Sequence, residues 1–457
     1  MGRESAARLP EDEALVALFR RRLTPHHSRL RDVVQRFEQR WKRRGVETLH
    51  GVGIPLRPLF IPRRRLEQIA TGFHRALTGL QQQFLAFARR PQALARRVPI
   101  PQAIYEHLDF ERSVKSDLFL SHFRPDGFLY EDRFVLSEIN YGNGVIVSLG
   151  YTEVLADLFA NHPLFDGNPF RAEAIERPFV HWLDVVDRQV GFKRPAHVVL
   201  LAHSREWGTV LEFGPRVRHQ VEQTVKRLEA RGLTVTIAHE TDVFVRRGRA
   251  YVKGSKREVD AFVVVTISTS FFDDPDEFEG SAKLFRGTRV GRAPVLKPFA
   301  GLAVDKGTLP WMLDLGLFPV RMDDGFEVDA ADTRYLVGTK ADWAVRDRRD
   351  LVLKRAFDGK DTHVGIATKP KVWAEAVQRA TESADSVVQA YSPLPRAQMP
   401  VLIDGRHVEW IDVRVELTPF IVRGQFAGAL ARYAPDAPGL VLSPPPDGMG
   451  MTLVYPC

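Results

Sequence analysis

Apolar residues recur at three- and four-residue intervals over residues 11–45 and 63–98. The clearest stretch is RRRLEQIATGFHRALTGLQQQFLAFARR. That period predicts two long amphipathic helices. Between them GVGIPLRPLFIP is punctuated by prolines and reads as extended chain. Within residues 112–140, VKSDLFLSHF and RFVLSEIN read as two strands joined by a loop, and residues 148–161 return to helix. From about 195 to 325, β and α segments alternate. AHVVLLAH is a strand, VRHQVEQTVKRLEARG a helix stopped by Gly232, TVTIAH a strand and DAFVVVT another. This order predicts a small doubly wound unit. The remainder is strand-rich α+β. DLVLKRAFDGKDTHVGIA gives a buried strand, a polar loop and a return strand; KPKVWAEAVQRAT gives a helix, and DSVVQAYSPLP a strand and hinge. HVEWIDVRVELTPFIVRGQFAGALARYAP alternates throughout. The expected class is α/β with α+β character, in segments 1–104, 105–190, 191–325 and 326–457.

Composition narrows the class. Hydrophobic residues make up 44% of the 457, enough for real cores. No apolar run approaches the ~20 residues that span a bilayer. The first residues lack the apolar core of a signal peptide, so the expectation is a cytoplasmic protein without a membrane partner. The lone cysteine, Cys457, excludes an internal disulfide and a cysteine metal site. The formal net charge is +8 and uneven. Residues 1–100 hold 21 Lys+Arg against 8 Asp+Glu, which is +13, so the rest sums to −5. FRRRL, RWKRRG and IPRRRLEQ carry the excess. Such clusters suit nucleic acid or an acidic substrate. They also suit solvated faces of amphipathic helices, whose arginine stems cover apolar surface. A nucleic-acid-binding protein therefore stands as a competing class, without an aromatic platform or zinc finger to favour it.

Candidate chemistry starts at LSEINYGNGV, residues 136–145. Side chains two apart on a strand share a face. Glu138 and Asn140 would present two oxygen donors together, with Ile139 in the core. Such donors suit Mg²⁺, a hard cation usually completed by phosphate oxygens. Lys354 leaves a buried strand ahead of a glycine-containing loop, where a lysine offers a point charge to phosphate. Lys306 stands beside Asp305 at a helix start. Arg414 and Arg432 punctuate the final strands and could grip an anion or lie exposed. PHH at 25–27 lacks a third metal ligand. SREWGTVLEFG at 204–214 follows a strand of the doubly wound unit and could set Trp207 and Glu212 at its crevice.

In their order these segments resemble the circularly permuted ATP-grasp family, relatives of the glutathionylspermidine synthase C-terminal domain. In ordinary ATP-grasp ligases the phosphate lysines precede a metal segment of the form R-x-D followed by E-x-N; here the metal segment comes first. The resemblance covers roughly residues 105–457. KSDLFLS would supply Asp117 as metal ligand, with Lys115 where the family usually has Arg. LSEIN would supply Glu138 and Asn140. AVDKGTL would give Lys306, and LVLKRAFDGKDTHVG the phosphate lysine Lys354 and the lid glycine Gly359. VVQAYSPLP would give Gln389 and Tyr391 beside the adenine, and FIVRGQFAGALARY resembles the closing hairpin. The resemblance implies an ATP-grasp fold in permuted order, with an inserted doubly wound unit and an N-terminal helical extension. It also implies ATP and Mg²⁺, an acyl-phosphate mechanism, and carboxylate and amine substrates of small-molecule or peptide type. Lys115, Arg414 and Arg432 would be its catalytic cations. Two departures keep a degenerate ATP-binding scaffold as another reading. Lys115 lacks the bidentate fork of Arg. The lid is sparse in glycine and carries Asp358 and Asp361 beside the phosphates.

Overall fold

A computed structural model describes residues 7–42, 56–98, 109–140, 143–165, 167, 169–202, 215–266, 287–296, 304–336, 341–356, 362–383, 386–403, 407–436 and 450–457. The helical periods lead to the helices Glu13–Leu23, His27–Lys42 and Arg63–Phe87. Pro25, His26 and His27 lie where a short 3-10 turn joins the first two. Among the described residues no group of three or more His, Cys, Asp or Glu is arranged to hold a metal.

The main sheet has nine strands among the described residues. Its order runs Leu59–Ile61, Gly450–Pro456, Gln425–Pro435, His407–Val422, His122–Leu129, Arg133–Asn140, Glu327–Ala330, Val320–Arg321, with Arg396–Ile403 also paired to His407–Val422. The long helix Arg63–Phe87 lays Leu66, Phe73, Leu77, Leu80 and Phe84 into the same buried cluster as Phe123, Phe134, Val328 and Leu417 of the sheet. At Gly72 the helix comes so close that a Cβ would stand 2.7 Å from Val328 and from Met322. Of the described residues in the basic first hundred, Leu59–Ile61 and the helix Arg63–Phe87 are built into the main sheet and its core. At least three of the described arginines in those hundred residues have partners within the chain. Arg57 is fully buried against Glu11, Arg20 lies over the Trp410 ring, and Arg65 pairs with Asp324.

A second sheet carries the doubly wound pattern. Thr234–His239, His197–Ala202, Ala261–Thr266 and Ala293–Leu296 are parallel neighbours in that order, with Arg289–Val290 antiparallel at the edge. A third sheet joins Thr333–Tyr335, Ser386–Ala390, Leu351–Arg355 and His363–Val364, all antiparallel. The helix Pro370–Ser383 covers it through Trp373, Ala376, Val377 and Ala380.

One expected strand is a correction. Of VKSDLFLSHF, only the end is β, because the strand starts at His122. Residues Phe110–Lys115 form a helix capped by Asp109, whose side chain accepts from the Arg112 N–H. Phe110 and Val114 are buried one turn apart on that helix, a spacing that a strand would also allow, and the Asp109 cap is what starts the helix here.

Candidate functional site

The site is built on the hairpin of His122–Leu129 and Arg133–Asn140. Asp126 sits directly across from Glu138, but Gly127 pairs with Leu136, so Ser137 is an extra residue on its strand. Such a bulge re-aims side chains and sharpens the local twist. Gly127 is required there: a Cβ would stand 2.5 Å from the Val135 carbonyl oxygen. Beyond the bulge, Ile139 is buried in the core, as its alternation with Glu138 and Asn140 implies.

Around this hairpin the chain brings together charges from four separate segments. Asp126 is buried and accepts from Arg124 on both oxygens, each at 3.1 Å. Its Oδ2 also takes Arg432 at 3.0 Å and the Asn140 amide nitrogen at 2.9 Å. Arg124 continues to the Ser148 hydroxyl on the following helix. The other arm of Arg432 reaches Glu416 at 3.2 Å. On the other side Lys306, itself buried, lies 3.5 Å from Glu138 and 3.6 Å from Asp305. Asp305 caps its own turn by accepting from the Lys306 N–H at 2.5 Å. Lys354 donates to the Ser137 carbonyl at 3.1 Å and to the Gln389 side-chain oxygen at 2.9 Å. Gln389 in turn donates to the same carbonyl and to Thr333. The ladder with Glu327–Ala330 ends at Leu136, one residue before the carbonyl that these two side chains occupy.

The electrostatics follow from this crowding. Burial alone would raise the Glu138 carboxyl, but Lys306, Lys354, Arg432 and Arg124 outweigh it and hold the group down at about 2. Glu138 still keeps 31% of its side-chain surface open to solvent, so it stands at the mouth of the cluster. Glu416 behaves oppositely. Burial, opposed by Arg432 and reinforced by Asp126, pushes it up to about 7. Asp305 rises to about 6 for the same first reason, opposed by Lys306 and assisted by Glu138. Burial pulls Lys354 down, although Glu138 resists. Arg432 is held firmly protonated by Asp126, Glu416 and Glu138 against its own burial.

This donor set fits a hard cation bound together with phosphate oxygens. Asn140 spends its nitrogen on Asp126, which reserves its carbonyl oxygen as an acceptor. Glu138 offers the partly open carboxylate beside it. Two oxygen donors next to buried cations match a metal whose shell the ligand completes, rather than a cage of acidic side chains.

Of the residues singled out from sequence, the fold gathers Glu138, Asn140, Lys306, Lys354, Gln389 and Arg432. It does not gather Lys115 and Asp117. Lys115 is exposed and paired with Glu111 at 2.5 Å, and Asp117 is exposed in the turn after that helix. Arg414 is spent elsewhere: it binds Asp436 and donates to the Leu394 carbonyl at 2.6 Å. With the Tyr130 hydroxyl on the Pro393 carbonyl at 2.7 Å, it clamps the hinge that follows Ser386–Ala390. Tyr391 lies in that hinge, half-buried, its hydroxyl raised by burial. Gln389 is buried and consumed by Lys354, so its side chain braces a lysine rather than facing a base. Gly359, Trp207 and Glu212 lie outside the described residues. Sequence reasoning missed Arg124, Asp126, Ser137 and Glu416. The signal for the first two was present: Arg124-Pro125-Asp126 is itself R-x-D. Pro-Asp-Gly reads as a turn, which hid a strand there.

No protein-family model matches the chain. No curated protein matches it either. Among solved structures, D-alanyl-alanine synthetase A from Vibrio cholerae is similar over 49% of this chain and 67% of its own, with 12% identity and a TM-score of 0.28. A likeness that slight carries no argument, and the functional reading rests on the site.

Proposed function

We propose that the protein is an ATP- and Mg²⁺-dependent carboxylate–amine ligase of permuted ATP-grasp type, working through an acyl phosphate. One observation carries this reading. Lys306, Lys354 and Arg432 reach the same hairpin, where Glu138 and Asn140 present oxygen donors, from three separate segments. Phosphoryl transfer asks mainly for positioning and for neutralised charge. Lys306 and Lys354 grip the phosphates. Glu138 and Asn140 hold Mg²⁺, which neutralises phosphate charge when bound. Arg124 takes the R-x-D place expected of Lys115, and Asp126 orients Asn140 and Arg432. Arg432 steadies the acyl phosphate while the amine displaces phosphate. On this reading residues 105–190 carry the metal segment, 191–325 a substrate unit and 326–457 the nucleotide lid. A nucleic-acid role is less well supported, because Arg57, Arg20 and Arg65 are engaged within the fold. Calorimetric titration with Mg·ATP, then phosphate release across a panel of amino acids, peptides and polyamines, tests the proposal. Micromolar binding with amine-dependent release is expected. Absence of Mg·ATP binding overturns it, and binding without turnover on any amine reduces the protein to a nucleotide-binding scaffold.

A further inference from the structure

Ser137 belongs to none of the groups just assigned, yet it touches both halves of the cluster. As the bulged residue it has no register partner in the hairpin ladder. Its carbonyl accepts from Lys354 at 3.1 Å and from Gln389 at 3.2 Å. Its hydroxyl lies 3.0 Å from the Asp126 carbonyl oxygen and 3.2 Å from a Glu416 carboxylate oxygen. Glu416 spends its other oxygen on Arg432. One residue therefore joins the lysine from the third sheet to the arginine from the main sheet.

We propose that Ser137 is a positioning residue for anion binding: its hydroxyl, through Glu416, aims Arg432, while its carbonyl aims Lys354, so that both cations address one phosphate group. This deepens the ligase reading and rests on it for the identity of the phosphate donor. The physical basis is the geometry of the arginine fork. Arg432 is shared between Asp126 and Glu416, and a carboxylate fixed at one oxygen presents the other in a set direction. Without the hydroxyl, Glu416 keeps Arg432 on one oxygen but loses the hydrogen bond on the other, and the guanidinium is held less tightly in its plane. A serine at a bulge can do this because its carbonyl and side chain serve different neighbours, whereas a residue in regular pairing commits its backbone to the ladder.

The test is a set of binding cycles at pH 8 with two probes, Mg·ATP and inorganic tripolyphosphate. Ser137→Ala removes only the hydroxyl; Ser137→Thr restores one. Ser137→Ala is expected to weaken both probes roughly 3–10-fold, the scale of one ordinary net hydrogen bond, because the single hydroxyl proton is shared between Glu416 and the Asp126 carbonyl. Ser137→Thr is expected to bind within about twofold of the parent. In a Glu416→Gln or Arg432→Lys background the effect of Ser137→Ala should shrink below about twofold, because the link is already cut. In a Lys354→Met background it should persist in full, because the carbonyl is unchanged. A merely structural serine would lower the melting temperature without this pattern. Should Ser137→Ala fail to fold, Glu416→Gln reads the same link from its other end and must lose a similar factor. Unweakened binding by Ser137→Ala, or an equal loss in every background, overturns the proposal. If tripolyphosphate shows the expected pattern but Mg·ATP does not bind, the nucleotide reading fails and the role of Ser137 stands. If neither probe binds the parent protein, both fall.

Discussion

Glu138 sits among four cations, and that decides what its removal does. Glu138→Gln leaves Lys306, Lys354, Arg432 and Arg124 with one less negative neighbour. A fully buried broken pair costs about 3–5 kcal/mol; with a third of this side chain in solvent, the cost at pH 7 is expected to be on the order of 1–2 kcal/mol. The folded-state pKa is depressed, so this stability is present above about 4.5 and is lost as pH falls through about 2. Urea melts of parent and variant from pH 7 to 3 should therefore converge toward the acid end. A gap that stays constant would show that the carboxylate is not held down by those cations. Glu416 carries the opposite sign. Its folded pKa is raised to about 7, so it favours the fold below the unfolded value of about 4.5 and loses that contribution as pH rises through about 7. Relative to its Glu416→Gln variant, the parent should lose stability between pH 5 and 8.5. The same melts read it, and a gain with rising pH would contradict the burial that raises the group.

At the scale of elements, the bulge and the glycine beside it form one device. Gly127→Ala would drive a methyl against the Val135 carbonyl and the Phe134 ring, at 2.5 and 2.6 Å. The strand must shift or the bulge must flatten. Overpacking of this kind costs about 1–3 kcal/mol. Because the bulge sets Ser137 and Glu138, the loss should appear in Mg·ATP affinity as well as in melting temperature. A variant that loses stability but binds Mg·ATP unchanged would show that the site tolerates a regular strand. The hinge clamp belongs to this scale too. Arg414 and Tyr130 hold two successive carbonyls after Ser386–Ala390, which explains why an arginine in an alternating strand is not at the charged cluster around Glu138.

At the scale of the whole molecule, the N-terminal segment is tied to the C-terminal strands through one buried arginine. Arg57 takes both oxygens of Glu11, at 2.6 and 2.8 Å, and donates to the Gln398 carbonyl. Glu11 also accepts from the Phe60 N–H. Leu59–Ile61 pairs in parallel with Val454–Pro456 beside it. Arg57→Met should cost about 3–5 kcal/mol by stranding the Glu11 carboxylate, and Arg57→Met with Glu11→Leu should recover part of it. Chemical denaturation of the three proteins checks this. An Arg57→Met variant as stable as the parent would mean that the N-terminal segment does not depend on the pair. Among the described residues, no helix is long and apolar enough to cross a membrane.

Periodicity by itself determined the long helices, the doubly wound strands and the face shared by Glu138 and Asn140, because side-chain direction repeats with the backbone. Short-range pattern also singled out Lys306 and Lys354, each next to local turn chemistry. Only the tertiary structure decided which charges meet. Arg124-Pro125-Asp126 carries the right residue types, but Pro-Asp-Gly has the composition of a turn, and only pairing with Arg133–Asn140 makes it a strand opposite Glu138. Asp117 and Lys115 were misplaced because the apolar spacing around them suits helix as well as strand, and an N-cap at Asp109 settles it. Ser137 and Glu416 gave no signal, since a bulge is a property of two paired strands and Glu416 gains its proton affinity from burial. Arg414 and Arg432 have the same residue type on neighbouring strands, and their partners alone separate a hinge clamp from a cation of the site.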